Sequence, residues 1–514
     1  MRRMPLPLAA LVLLAACTKG EDDKAALLRA DIVGDMAEPA SPVRAALTQM
    51  TQLGLVQFDG AGQLVPGLAA SWRTVDDGRS IIFRLRPAVW SDGRALTAGD
   101  VVAVFRRIMA PGSTNTLKPL LAGIDNAPSV MDGRAPVTLL GVNAPLPDVV
   151  EIRLSSPDAG LLQLLALPEA VIMRSGARPP STGAFVLKDA GARPIMLTAN
   201  PRYFLAADNR LGSVAVTPST DPRLSVQRFV RGQADLVMGD GIAGLGEART
   251  LGPRDTLRLE PSWGVYGYRF NTDREPLSDP RVRRALAMSI DRADIVQRLF
   301  ATPLMVPLVS LVPPDAGSGA NAPAVPDWSA MDTPARNALA TQLLHEAGYG
   351  PERPLRLTVA LPPGREHAQV FDAVARGWAL LGVQAAALER APAAQRDAEA
   401  RGDYDLALVE RRAPTATPLF FLRPFTCAAR RGKQGYCNPD ADALIEGARA
   451  MANEDARAEA LGHAEAAMLA DTPMIPLFVP VRWALVGRSV TGWTPNQGGQ
   501  HPFATLDLPA RKTP

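Results

Sequence analysis

Ser278-Asp279-Pro280-Arg281-Val282-Arg283-Arg284-Ala285-Leu286-Ala287-Met288-Ser289-Ile290-Asp291-Arg292 is the stretch of this 514-residue chain whose reading decides the fold. Asp279 suits a helix N-cap, since its carboxylate can accept from the free N–H groups of the first turn. Pro280 suits the first helical position, where a missing N–H costs nothing. Ala285, Leu286, Ser289 and Ile290 follow Val282 at spacings of 3, 4, 7 and 8, one buried stripe on a helix. Asp291 restarts a second helix carrying Ile295, Val296 and Leu299. Downstream, Thr333-Pro334 opens a helix that Gly348 closes. Segment 370–381 then reads as helix, 383–388 and 404–409 as strands, 440–451 and 454–470 as helices, and 474–479 as strand. Upstream, 27–33 and 80–85 read as strands. Thr97, with Asp100 three residues on, forms a capping box before the apolar face Val101, Val104, Phe105 and Ile108. Strands alternating with helices predict α/β lobes with mainly parallel sheets.

The length accommodates two or three domains with separate cores. The net charge is +3, and two of the positives are Arg2 and Arg3. Without them 53 basic residues face 52 acidic ones, which offers nucleic acid no basic field. Arg2-Arg3 followed by the apolar run 4–16 has the layout of a signal peptide and is too short to span a membrane. Leu14-Ala15-Ala16-Cys17 resembles the bacterial lipobox, implying lipid on Cys17, cleavage before it, and residues 17–26 as a polar tether. Each buried acyl methylene contributes about 0.8 kcal/mol, so two or three chains would hold the protein at the membrane. The alternative is an ordinary signal peptide with an incidental cysteine. Cys427 and Cys437 are the other cysteines. An oxidising compartment permits a disulfide between them, although an even count leaves two reduced thiols open.

Several motifs suggest chemistry. Gly239-Asp240-Gly241-Ile242-Ala243-Gly244 fits the dinucleotide fingerprint GxGxxG, follows the strand signal 235–238, and has Glu260 about twenty residues on. Gly246, Gly252 and Pro253 argue against the helix that the fingerprint needs. His345-Glu346 opens like a zinc-protease helix, but Tyr349 stands where the second His is required. The four histidines (345, 367, 463 and 501) never pair at ligand spacing, and no GxSxG elbow occurs. Asp76-Asp77 beside Gly78 is turn chemistry. Neither a metal, a cofactor nor a catalytic set is expected. Trp72, Trp90, Trp263 and Trp378 read first as core.

The ordered motifs resemble the peptide/nickel class of ABC-transporter solute-binding proteins, family 5, in lipoprotein form. The resemblance runs from Gly54-Leu55 and Phe58-Asp59 through Pro66-Gly67-Leu68-Ala69-Ala70-Ser71-Trp72, Trp90-Ser91-Asp92-Gly93 and Asn200-Pro201-Arg202-Tyr203 to Gly232-Gln233-Ala234-Asp235-Leu236. It passes the 278–292 block to Gly402-Asp403-Tyr404-Asp405 and Asp471-Thr472-Pro473-Met474-Ile475-Pro476-Leu477. It implies a two-lobed periplasmic-binding-protein fold (type II, cluster C) with an inserted subdomain, closing on a ligand by hinge motion. The expected partition is 27–57, 181–263 and 478–510 for lobe I, 58–180 for the insertion, and 264–477 for lobe II. Hinge strands are expected near 261–266 and 474–479. The resemblance further implies a Cys427–Cys437 disulfide, and a non-enzymatic monomer delivering a peptide or peptide-like solute to a permease and its ATPase. Membrane contact would be through the lipid anchor alone. The alternatives are a same-fold receptor or chaperone serving no permease, and an exported hydrolase.

In peptide-binding relatives an aspartate before the disulfide holds the ligand amine, three residues after a tryptophan. Those positions here are Ala413 and Glu410. Either Glu410 takes over the amine, or Arg411 or Arg412 faces the cleft and binds a carboxylate or phosphate, making the solute anionic. A solvated edge is the bland reading of both arginines. Glu38, Arg365 and Trp263 are further candidate ligand contacts, and the glycine loop 239–244 is expected at the cleft rim.

Overall fold

The computed structural model describes residues 26–509, apart from 39–40, 159, 177, 190, 240, 317–322, 431–434 and 452. The signal segment, Cys17 and most of the tether thus lie outside the described residues. Two large sheets organise the chain, one per lobe. The first runs Leu257–Glu260, Arg482–Val486, Leu236–Met238, Ala26–Val33, Leu211–Ser219, Ile195–Ala199, Phe185–Asp189. The second runs Val306–Pro307, Met474–Val479, Trp263–Phe270, Leu406–Ala413, Arg356–Leu361, Gln384–Glu389. A four-stranded sheet, Ala69–Val75, Ser80–Leu85, Val149–Arg153, Val142–Leu146, shares the first lobe's apolar core: Phe83, Trp90 and Phe105 lie in one buried cluster with Leu28, Phe185 and Val214.

The sheets are mixed, which corrects the expectation of mainly parallel ones. Ala26–Val33 pairs in parallel with two neighbours, and so does Arg356–Leu361. The strands that carry the chain between lobes pair antiparallel. Parallel neighbours need a helical crossover, and strands that return directly from the other lobe have none. Leu257–Glu260 pairs with Arg482–Val486 in the first sheet, and Trp263–Phe270 with Met474–Val479 in the second. The two crossings, at Pro261–Ser262 and Pro480–Val481, therefore lie side by side, and Ser262 Oγ donates to the Pro480 carbonyl. Met474–Val479 belongs wholly to the second sheet, so the crossing expected within it falls just after it.

The 278–292 block folds as read. Asp279 accepts from the Arg281 N–H at 2.8 Å, and Val282, Ala285 and Leu286 are fully buried on the helix Pro280–Met288. Its arginines do more than solvate a face. Buried Arg283 donates to the carbonyls of Asp471, Thr472, Leu277 and Ser278 at 2.5–3.1 Å. Arg292 donates to Pro476 O at 2.7 Å and to Ala287 O at 3.1 Å, and burial pulls its pKa down to about 9. Arg283 thus fastens the helix pair to the end of the helix Glu454–Asp471, just ahead of Met474–Val479, and Arg292 to the middle of that strand. Arg283→Met strands four carbonyls, each worth about 1–3 kcal/mol when left unsatisfied. We expect a loss of at least about 3 kcal/mol in urea unfolding; an unchanged midpoint would remove this role.

Glu465, on the helix Glu454–Asp471, is buried and accepts from the N–H groups of Val312 (2.8 Å) and Ala324 (3.1 Å). Burial pushes its pKa up to about 7. The unfolded chain releases this proton near pH 4.3, so the native state holds the proton over the interval between. Stability should therefore fall as pH rises from about 4.3 to about 7. Melting temperatures across that range should show a shallower slope in Glu465→Gln, and equal slopes would refute the assignment.

Candidate functional site

Alternation along Leu406–Ala413 sorts the candidate residues, because successive side chains point to opposite faces of a sheet. Tyr266 pairs with Glu410, Val265 with Arg411, Gly264 with Arg412 and Trp263 with Ala413. Glu410 and Arg412 consequently share one face with Tyr266. Arg411 and Ala413 share the other with Val265 and Trp263. The adjacent arginines do not converge on one anion.

Glu410 and Arg412 form an ion pair at 2.5 Å, with 12% and 15% of their side chains exposed. The pair faces lobe I: any side chain at Gly241 would collide with both carboxylate oxygens of Glu410. Arg411 packs its guanidinium 4.7 Å over the Phe420 ring and donates to the Phe420 carbonyl at 3.0 Å. Burial, then the nearby Arg269 and Arg423, lower its pKa to about 10. Trp263 begins its strand half-buried, with an indole N–H that meets no acceptor among the described residues. Tyr266 is fully buried, stacks on Phe478 with centroids 4.6 Å apart, and its hydroxyl lies 2.9 Å from His367 Nδ1. Burial raises its pKa well above the phenol range.

Arg365 is exposed at the first turn of Arg365–Ala379. Its neighbour Glu366, passed over in the sequence, is the residue that reaches across. It is 6% exposed and accepts from the backbone N–H groups of Gly244 (3.2 Å) and Gly246 (2.9 Å) in lobe I. Glu38 does the reverse, reaching from lobe I to an ion pair with Arg396 in lobe II. The only sequence signal for Glu366 was a carboxylate in the first turn of a helix, and that position ordinarily needs no partner.

The glycine loop needs one correction. A helix does follow it, Leu245–Leu251, which begins after Gly244 and ends at Gly252. Gly252 terminates this short helix, and Gly246 lies in its first turn, so neither interrupts it. Asp240 lies outside the described residues. Gly244 holds φ +76°, and the indole of Trp483 packs against Gly239 while donating to Ala243 O at 3.1 Å. Beside the first crossing, buried Glu260 accepts from Trp493 Nε1 at 2.9 Å and lies 2.9 Å from His501 Nε2. His345 is exposed on its helix, and no group of three metal-binding side chains occurs among the described residues. Cys427 and Cys437 are joined in a disulfide. No described helix is long and apolar enough to cross a membrane.

The profile of the bacterial extracellular solute-binding proteins, family 5 Middle, matches residues 63–433. The periplasmic murein peptide-binding protein MppA of Escherichia coli K12 is 28% identical over 462 residues, 86% of this chain and 84% of that protein. The structure of Burkholderia pseudomallei OppA superposes with a TM-score of 0.84 at 25% identity, covering 94% of this chain and 99% of that one. The structure of E. coli MppA gives 0.82 at 26% identity, covering 94% of this chain and 98% of that one. MppA in its unliganded open form gives 0.66, also at 26% identity, covering 94% and 97%. Identity and coverage barely change between the last two, so the drop reflects how the lobes stand, and here they do not stand as in that open form. Family 5 proteins bind rather than catalyse. With the two-lobed fold and a match spanning most of the sequence, the chain belongs to the bacterial extracellular solute-binding proteins of family 5.

Proposed function

We propose that the chain captures a peptide or peptide-like solute between its lobes and delivers it to the permease and ATPase of an ABC importer, held to the membrane by lipid on Cys17. Relatives named for peptide binding over more than four-fifths of their length support this reading. The observation that carries the substrate side is the Glu410–Arg412 pair on the lobe I-facing side of Leu406–Ala413. The resemblance puts an amine-binding aspartate at Ala413, which is fully buried and on the opposite face. Glu410 is the carboxylate left to meet an ammonium group, and Arg412 the cation left for a carboxylate or phosphate. A zwitterionic peptide can exchange both ends with this pair. An anionic solute would use Arg412 alone.

Calorimetry with a panel of short peptides and of anionic metabolites separates these. Glu410→Gln should weaken peptides with a free amine at least about tenfold, equivalent to about 1.4 kcal/mol, and spare N-acetylated ones. If Arg412→Gln leaves every anionic ligand unchanged, the anionic solute is eliminated. Arg411→Ala should lower thermal stability with little effect on affinity, since its contacts are with Phe420. For the anchor, palmitate labelling in the native host should vanish in Cys17→Ser; persistent labelling would place the lipid elsewhere.

A further inference from the structure

We propose that Glu366 is a latch between the lobes: its bonds to the glycine loop populate the closed arrangement without help from a solute. Glu366 lies at the start of Arg365–Ala379 in lobe II, whereas Gly244 and Gly246 lie beyond Leu236–Met238 in lobe I. A carboxylate oxygen meets each N–H, at 3.2 and 2.9 Å, and the side chain is 6% exposed. Hydrogen bonds to an ionised group are the stronger kind. These two exist only when the lobes meet, because the donors lie at the start of the lobe I helix Leu245–Leu251 and the acceptor at the start of the lobe II helix Arg365–Ala379. Opening returns both partners to water.

Other contacts place the same faces together. Glu410 lies against Gly241 of the same loop, Glu38 pairs with Arg396, and Ser156 Oγ donates to Arg449 O at 3.1 Å. All join protein to protein. Closure is then an equilibrium that the chain biases by itself, and a solute adds its own differential contacts to it. Glu366 is a positioning residue: it acts through the glycine loop and sets how much of the protein is already closed. Gly241 and Gly244 take positive φ, and a side chain at Gly246 would approach within 2.9 Å of the Glu366 carboxylate, so the loop is shaped to admit these acids.

The proposal rests on the capture role, but its test uses no solute, so either can fail alone. The full chain, freed of bound solute by exhaustive dialysis, is compared with Glu366→Gln and Glu366→Ala by hydrogen exchange and mass spectrometry. Two segments are read: 241–251, which Glu366 touches, and 392–401, which holds Arg396 at the separate contact with Glu38. In wild type both should be protected. In Glu366→Ala both should exchange about tenfold faster, in Glu366→Gln less so, with the interior strands Ala26–Val33 and Arg356–Leu361 unchanged. Faster exchange in 241–251 alone would make Glu366 a local cap and overturn the latch. Equal rates in all three proteins, an unprotected wild type, or faster exchange in those two interior strands would overturn it too.

Discussion

The architecture hangs on two strands that change lobe side by side in opposite directions. The backbone supplies this constraint before any side chain is considered. Leu257–Glu260 against Arg482–Val486 and Trp263–Phe270 against Met474–Val479 are antiparallel ladders on either side of the same gap. Ser262 Oγ bonded to Pro480 O ties them at the narrowest point. Gly264 leaves room there: a Cβ would come within 2.8–3.0 Å of Ser262 Oγ and the Pro480 ring. Two adjacent strands permit rotation of one lobe on the other and little else. The loops that can meet are therefore decided by strand order, which brings the turns after Leu236–Met238 and Ala26–Val33 to face the second lobe.

Several buried ionisable side chains serve backbone groups. Arg283 and Arg292 hold carbonyls just before and in the middle of Met474–Val479, Glu465 holds two N–H groups, and Glu366 holds two more across the cleft. A buried charge needs several polar partners to offset lost hydration. Helix ends and loops that lie inside the molecule offer such partners in the backbone groups their own pairing leaves open. The chemistry that makes a glycine-rich turn suit phosphate, convergent N–H groups without side-chain cover, suits a carboxylate equally. Here the carboxylate is the protein's own.

Much of the fold was legible because local physics agreed with it. Asp279-Pro280 caps where expected, Thr97 with Asp100 closes its box (Thr97 N to Asp100 Oδ2, 3.0 Å), and the apolar stripe behind Val282 is buried. Legibility failed where polar residues lie inside elements. The strand anticipated over 404–409 continues to Ala413 through Glu410-Arg411-Arg412, since its two faces offer an ion pair and an aromatic ring. No periodicity rule foresees three consecutive charges in a strand. The cleft was legible only as a list: which of Arg411 and Arg412 turns toward lobe I is a matter of register, fixed by Trp263–Phe270 well over a hundred residues earlier in the chain. Glu366 was illegible because its partners are backbone N–H groups, which have no letter in the sequence.

The place of Arg482–Val486 in the first sheet, between Leu257–Glu260 and Leu236–Met238, bears on how the molecule is made. A lobe that begins at Ala26 lacks an interior strand until nearly the whole polypeptide has been synthesised. The amino-terminal half cannot settle early as a finished unit, and its sheet closes around one of the last segments to appear. Pairing so distant in sequence slows folding. For a protein whose relatives are named as periplasmic, the consequence is that the first lobe's large sheet stays incomplete for most of the chain's synthesis.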